Sequence, residues 1–173
     1  GNNELALADY SRAIEIKPDY IIALYNRGNT FGKLLQWNEA IADYTKAIEL
    51  NPKFEQAYYA RSLAYTKVSA FDPAIEDCTR AIEIKPNNSA AYFNRGYSYY
   101  KKSDYATALD DYTQAIVFDP NNANIYLNRG IAYDYLSKWE EAIADYSKAL
   151  ELNPNLTAAY NNRENVYKRL GRN

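Results

Sequence analysis

The sequence predicts an all-α solenoid, a stack of about ten helices joined as hairpins, and three observations carry that prediction. Proline recurs at 18, 52, 86, 120 and 154, a spacing of 34 residues without a slip. A fixed period of roughly 20–50 residues marks a solenoid of repeated supersecondary units. Between successive prolines lie two stretches with apolar residues at helical spacing, and small residues recur in register with large ones, as close helix packing requires.

Each element follows from this register. The first helix of a unit is seen in Ile21–Lys33, where Leu24, Arg27, Gly28 and Phe31 fall at spacings of three and four. The second, Asn38–Leu50, places Ala40, Ile41, Tyr44, Ala47 and Ile48 on one stripe. Between them a short loop ends in an aromatic, in turn Trp37, Phe71, Tyr105 and Trp139. Asn38 and Asp72 follow as expected N-caps, with Pro73 suited to a first helical turn. Each second helix stops ahead of its proline, because the residue before proline disfavours the helical conformation.

This register yields a single array over residues 1–173. Residues 1–20 form a half-unit holding only a second helix, followed by full repeats at 21–54, 55–88, 89–122 and 123–156. Residues 157–173 form a lone first helix that reads as a polar cap, with Glu164 where a close-packed glycine is expected. The opening at Gly1 within a unit and the absence of an initiator methionine suggest a fragment of a longer protein. Gly28, Gly96 and Gly130, with Ser62, recur on first helices. Two alanine series recur on second helices, Ala6 to Ala142 and Ala13 to Ala149. Large residues fill the facing positions: Tyr58, Tyr92, Tyr126 and Tyr160; Tyr65, Tyr99, Tyr133 and Tyr167; Tyr10, Tyr44, Tyr112 and Tyr146. These tyrosines read as core, not as a cofactor box, and Cys78, in the Tyr44 register, reads as a small buried hydrophobe.

Composition narrows the function. The chain has 20 basic and 22 acidic side chains and a net charge of −2, a balance that argues against nucleic-acid binding. No apolar run approaches the roughly 18 residues of a membrane span, and no secretory signal leads the chain. Histidine is absent, which removes Ser-His-Asp and Cys-His arrangements and any His-containing metal site. No Gly-rich phosphate loop is present, and the carboxylates recur in every unit, whereas catalytic pairs are normally unique. The expectation is a non-enzyme without cofactor or metal.

The order Tyr-Asn-Arg-Gly, a further aromatic, then Ala-Ile-x-Asp-Tyr-x-x-Ala-Ile and proline resembles the tetratricopeptide repeat (TPR) over the whole chain. The resemblance implies a right-handed superhelix of antiparallel helix pairs whose first helices line a concave groove that commonly binds peptides. One departure is the arginine column Arg27, Arg61, Arg95, Arg129 and Arg163, where the family usually has leucine.

That column has a counterpart in Asp9, Asp43, Asp77, Asp111 and Asp145. The functional alternative is a row of guanidinium groups facing a ligand. Structural ion pairing is favoured, each Asp with the Arg 18 residues later, because this register gives all ten residues a partner across repeat junctions.

For the groove, the resemblance implies an asparagine ladder at Asn26, Asn94, Asn128 and Asn162, interrupted by Ala60. An amide can both donate to and accept from a peptide main chain. The other reading is that these amides bond only neighbouring helices or water. Beside the ladder stand Tyr25, Tyr59, Phe93 and Leu127, then Asn29, Leu63, Tyr97 and Ile131, then a row of Lys33, Lys67, Lys101 and Arg169, with Tyr135 in the fourth place. Such a surface suits an extended segment with hydrophobic and acidic residues; a solvated lysine row favoured by the helix dipole is equally consistent. TPR clamps for acidic chaperone tails need two lysines and an arginine that no window of this chain supplies, so no such clamp is expected. The sequence thus points to a protein-interaction scaffold that binds a peptide in its groove. The alternatives are a spacer or oligomerising array with an unused groove, and the substrate-selecting region of a larger protein. Self-association through the apolar N-terminal helix, which carries Leu5, Leu7 and Tyr10, either head-to-tail onto the C-terminal helix of a neighbour or with itself, is a further expectation. Partner identity and compartment do not follow from these residues.

Overall fold

A computed structural model describes residues 1–171. These form ten helices and no strand among the described residues, and the chain divides into two compact units, Gly1–Pro86 and Asn87–Asn173. The first unit holds α1 (Asn2–Ile16), α2 (Ile21–Lys33), α3 (Trp37–Leu50), α4 (Glu55–Lys67) and α5 (Phe71–Ile84). The second holds α6 (Ser89–Lys101), α7 (Tyr105–Phe118), α8 (Ala123–Tyr135), α9 (Trp139–Leu152) and α10 (Thr157–Arg169). Within each unit every helix packs on the next in sequence. First helices also touch one another, α2 with α4, α6 with α8 and α8 with α10.

The boundaries follow from local chemistry. The residues before the five repeat prolines, Lys17, Asn51, Lys85, Asp119 and Asn153, have φ between −133° and −140°, which ends each second helix there. Second helices begin on the loop aromatic itself, so Asn38 and Asp72 are not N-caps but lie inside the first turn. The cap positions are Gln36, Ala70, Asp104 and Lys138, of which Asp104 accepts a bond from the Thr107 amide. The shift has a cause at the preceding helix end. Helices α2, α4, α6 and α8 each close with a 6→1 and a 5→2 hydrogen bond, as from the Gln36 amide to the Phe31 carbonyl and from the Leu35 amide to that of Gly32. This ending consumes two loop residues, and the chain re-enters helix at the aromatic.

The motif needs one left-handed residue, supplied by Leu35, Ser69, Ser103 and Ser137 at φ 58–65°; Gly171, after α10, has φ 67°. Leu35 is the costly member, since its β-carbon disfavours this conformation and the residue is 71% exposed. Leu35→Gly is therefore expected to raise stability by about 0.5–1 kcal/mol after glycine's extra chain entropy is counted. A melting temperature below that of the parent would refute this.

The core runs along the hairpin seams. Ala40, Ala74, Ala108 and Ala142, and Ala47, Ala81, Ala115 and Ala149, are fully buried. Tyr44, Tyr112 and Tyr146 fill the space against the glycines: a β-carbon on Gly28 or Gly130 would lie 2.7 Å from the Tyr44 or Tyr146 ring, and one on Gly96 3.0 Å from that of Tyr112. Ser62 and Cys78, which hold the same two registers in the second full repeat, are both fully buried. The other tyrosine columns are less buried than expected. Tyr58, Tyr65, Tyr92, Tyr99 and Tyr133 are only half-buried and Tyr160 is 47% exposed. They flank the arginines, whose guanidinium carbons stand 5.5–5.8 Å from the ring centres of Tyr58, Tyr65, Tyr92, Tyr126, Tyr133 and Tyr160.

Candidate functional site

The arginine column sets the geometry of each hairpin, with a pairing that corrects the register read from sequence. Arg27 pairs with Asp43, Arg61 with Asp77, Arg95 with Asp111 and Arg129 with Asp145, each through two bonds of 2.7–2.9 Å. The partner is therefore the Asp 16 residues later in the same hairpin, not the one 18 residues earlier across the junction. Asp9 is exposed, and Arg163 has no carboxylate partner among the described residues. In two of the hairpins the helices approach closely at glycine, where the Asp111 and Asp145 β-carbons lie 3.1 and 3.3 Å from where Gly96 and Gly130 would carry theirs, and the hairpin with Ser62 in that register keeps the same pairing. The carboxylate is thus held beside its own hairpin's first helix.

The same guanidinium still joins repeats, through a hydroxyl. Arg27 donates to Ser11, Arg61 to Thr45, Arg129 to Thr113 and Arg163 to Ser147, at 2.9–3.2 Å. Thr45 and Ser147 in turn donate to carbonyls of their own helices, Ile41 and Ile143. Sequence reading missed this link, although Ser11, Thr45, Thr79, Thr113 and Ser147 form an unbroken hydroxyl column. Burial pushes the Asp77 and Asp111 carboxyls up from 3.8, and the bidentate guanidinium opposes but does not cancel it.

With the arginines committed inward, the remaining accessible stripe of the first helices is the candidate site. In the first unit Tyr25, Asn26, Asn29 and Tyr59 are partly exposed and Leu63, Lys33 and Lys67 more so. In the second, Phe93, Tyr97, Leu127, Asn128, Ile131 and Asn162 are partly exposed and Lys101 is exposed, its ammonium 5.8 Å from the Tyr97 ring centre. The asparagines are not equivalent. Asn94 is only 5% exposed. Asn128 donates to the Asn124 carbonyl of its own helix, and Asn29 accepts the Tyr44 hydroxyl at 2.8 Å. Asn29 thus also serves the core. Where Tyr97 and Ile131 take its register, the Tyr112 and Tyr146 hydroxyls are buried without a hydrogen-bond partner among the described residues.

In the second unit the stripe deepens into a pocket of about 370 Å³ lined by Tyr100, Ile131, Asp134, Tyr135, Tyr146, Asn162, Asn165 and Arg169. Arg169, the last cation of the expected basic row, is turned onto Asp134. Tyr135 stacks on Tyr105 at 4.6 Å and meets Tyr100 edge-on at 5.7 Å. Desolvation, then the hydrogen bond with Tyr135, pushes the Tyr100 phenol up to about 12. No group of three or more metal-ligating side chains occurs among the described residues, and no described helix is long and apolar enough to cross a membrane.

Family models described as tetratricopeptide repeat match residues 21–54 and 123–156, 55–88 and 78–110, and one described as TPR repeat matches 1–34 and 96–134. The chain belongs to the tetratricopeptide repeat family. Among solved structures, this TPR chain is similar to the crystal structure of MamA, at 25% identity and a TM-score of 0.86 over 89% of this chain and 90% of that one. It is similar to YrrB, described as a TPR protein with an unusual peptide-binding site, at 24% identity and 0.84 over 94% and 84%. A third likeness is to TTC0263, a thermophilic TPR protein in Thermus thermophilus, at 22% identity and 0.74 over 97% and 92%. YrrB and TTC0263 show the fold alone. No curated protein matches the chain. TPR repeat proteins are generally non-catalytic, and the TPR fold supports a protein-interaction scaffold.

Proposed function

We propose that this TPR chain binds an extended segment of a partner protein along the accessible stripe of the first helices within a unit. The observation that supports this is the stripe's chemistry: aromatic and aliphatic surface at Tyr25, Tyr59, Leu63, Phe93, Leu127 and Ile131 beside amides at Asn26, Asn128 and Asn162. Apolar side chains of a ligand would lie on the first set, and its main chain would exchange hydrogen bonds with the second. Asn128 keeps its amide oxygen for this, since only its NH2 group is used within the helix. The exposed Lys33, Lys67 and Lys101 favour acidic residues in the ligand. These cations lie in solvent, so their effect falls on association rate and salt dependence more than on affinity.

The test is an array of dodecapeptides probed with the chain and with an Asn128→Ala/Asn162→Ala variant. Each lost amide contact is worth about 1 kcal/mol, so the double variant should bind its selected peptides roughly 30-fold more weakly. Undiminished binding by the double variant would place the ligand elsewhere, and an array without binders would favour a spacer role.

A further inference from the structure

The pocket beneath Asp134 contains an internal clue to what it accepts. Asp134 on α8 is largely sequestered, its side chain 18% exposed, and Arg169 from α10 rests on it while remaining 55% exposed. The chain's own guanidinium therefore already occupies the acidic point of the pocket, reached from solvent by a side chain that can leave. Tyr146, fully buried, lines the same pocket and its hydroxyl has no hydrogen-bond partner among the described residues. Tyr100 and Tyr135 supply aromatic walls, and the Asn162 amide stands at the lining.

We propose that this pocket binds a basic side chain, arginine or lysine, of the partner segment on Asp134, with Arg169 as an intramolecular placeholder that the ligand displaces. The proposal rests on the groove reading above and deepens it. Guanidinium and ammonium groups carry only donors, which matches the Asp134 carboxylate and the phenol oxygen of Tyr146. Their charge also suits the faces of Tyr100 and Tyr135. A ligand carboxylate would instead meet Asp134 at close range. Exchange is easy because an exposed arginine held by one carboxylate gains little from its pair, and after release it returns to water.

The experiment titrates acetyl-Gly-Arg-Gly-amide and acetyl-Gly-Glu-Gly-amide into the 173-residue chain and follows the side-chain NMR signals of Asn162 and Asn165. The arginine probe should give saturable shifts, at least fivefold weaker in Asp134→Asn and severalfold tighter in Arg169→Gln, with no response to the glutamate probe. Arg169→Gln alters only an exposed side chain, so it keeps the proposal testable if Asp134→Asn lowers stability. Equal response to both probes, an unchanged response in Asp134→Asn, or weaker binding in Arg169→Gln would overturn it. Failure here is distinct from failure of the groove. If dodecapeptides bind and lose affinity with Asn128→Ala/Asn162→Ala while the arginine probe stays silent, the groove stands and the basic subsite falls.

Discussion

Gly130→Ser is expected to lower stability by about 2 kcal/mol, and most of that loss is expected to disappear when Tyr146 is cysteine. A β-carbon on Gly130 would lie 2.7 Å from one carbon of the Tyr146 ring and 2.9 Å from another, and that ring is fully buried. Overpacking of this type costs about 1–3 kcal/mol, and the better helix propensity of serine offsets a few tenths. Tyr146→Cys alone should cost about 3 kcal/mol by opening a cavity. The double variant reproduces a combination the chain already uses, since the second full repeat carries Ser62 and Cys78 in these registers, both fully buried. A double-mutant cycle in urea should therefore show a favourable coupling of about 1–2 kcal/mol. A coupling near zero would mean that the two substitutions act independently and that Ser62 and Cys78 are accommodated by other means.

Asp77→Ala is expected to be the most damaging change in the ion-pair column, about 3–5 kcal/mol, because it strands Arg61 against its tyrosines with a charge it cannot lose. The Arg61 side chain is 15% exposed and that of Asp77 6%. Arg61→Leu should cost less, and its cost should depend on pH. The Asp77 carboxyl already lies above 3.8 because burial outweighs the pull of Arg61. Deleting Arg61 removes that pull, so the folded-state value climbs further while the unfolded-state value stays near about 3.9. A carboxyl raised on folding holds its proton longer in the folded state. Its destabilising effect is absent below the unfolded value, grows as pH rises through the folded one, and is complete above it. Relative to the parent, Arg61→Leu should therefore regain stability as pH is lowered from about 7 towards about 4.5, whereas Asp77→Ala should not. Melting curves at the two pH values decide this, and equal losses for both variants at both values would refute it.

Much of the fold was legible because its cause is local and repeated. The α2 bounds Ile21–Lys33 agree with the apolar spacing, and the prolines end each second helix where their steric effect on the preceding residue requires. Both alanine series lie in the core from α3 onwards, and Cys78 is a buried small residue as its register implied. Legibility failed where a residue's partner is chosen in space. The Asp–Arg column was visible, but counting satisfied pairs selected the wrong register. The packing of the two helices within each hairpin selects the right one, and Asp9 and Arg163 are left outside it. The start of each second helix was misplaced by one residue because the helix ending at Leu35, Ser69, Ser103 and Ser137 went unread. On the candidate site, the accessible stripe was predicted as a set. The individual fates of Asn29, tied to Tyr44, and Asn94, nearly buried, were not.

By itself the sequence determined the period, the helices, the small-against-large packing and the family, because each depends on residues near in the chain or on their exact repetition every 34 positions. Only the tertiary structure decided which carboxylate each arginine takes, which asparagines remain available, and that Asp134 and Arg169 meet at a pocket lined by the buried Tyr146. Asp134 and Arg169 are 35 residues apart, and Asp134 breaks the repeat pattern, its register holding Gly32, Thr66 and Tyr100 elsewhere. Periodicity averages over such exceptions, and a packed interface is sensitive to each of them.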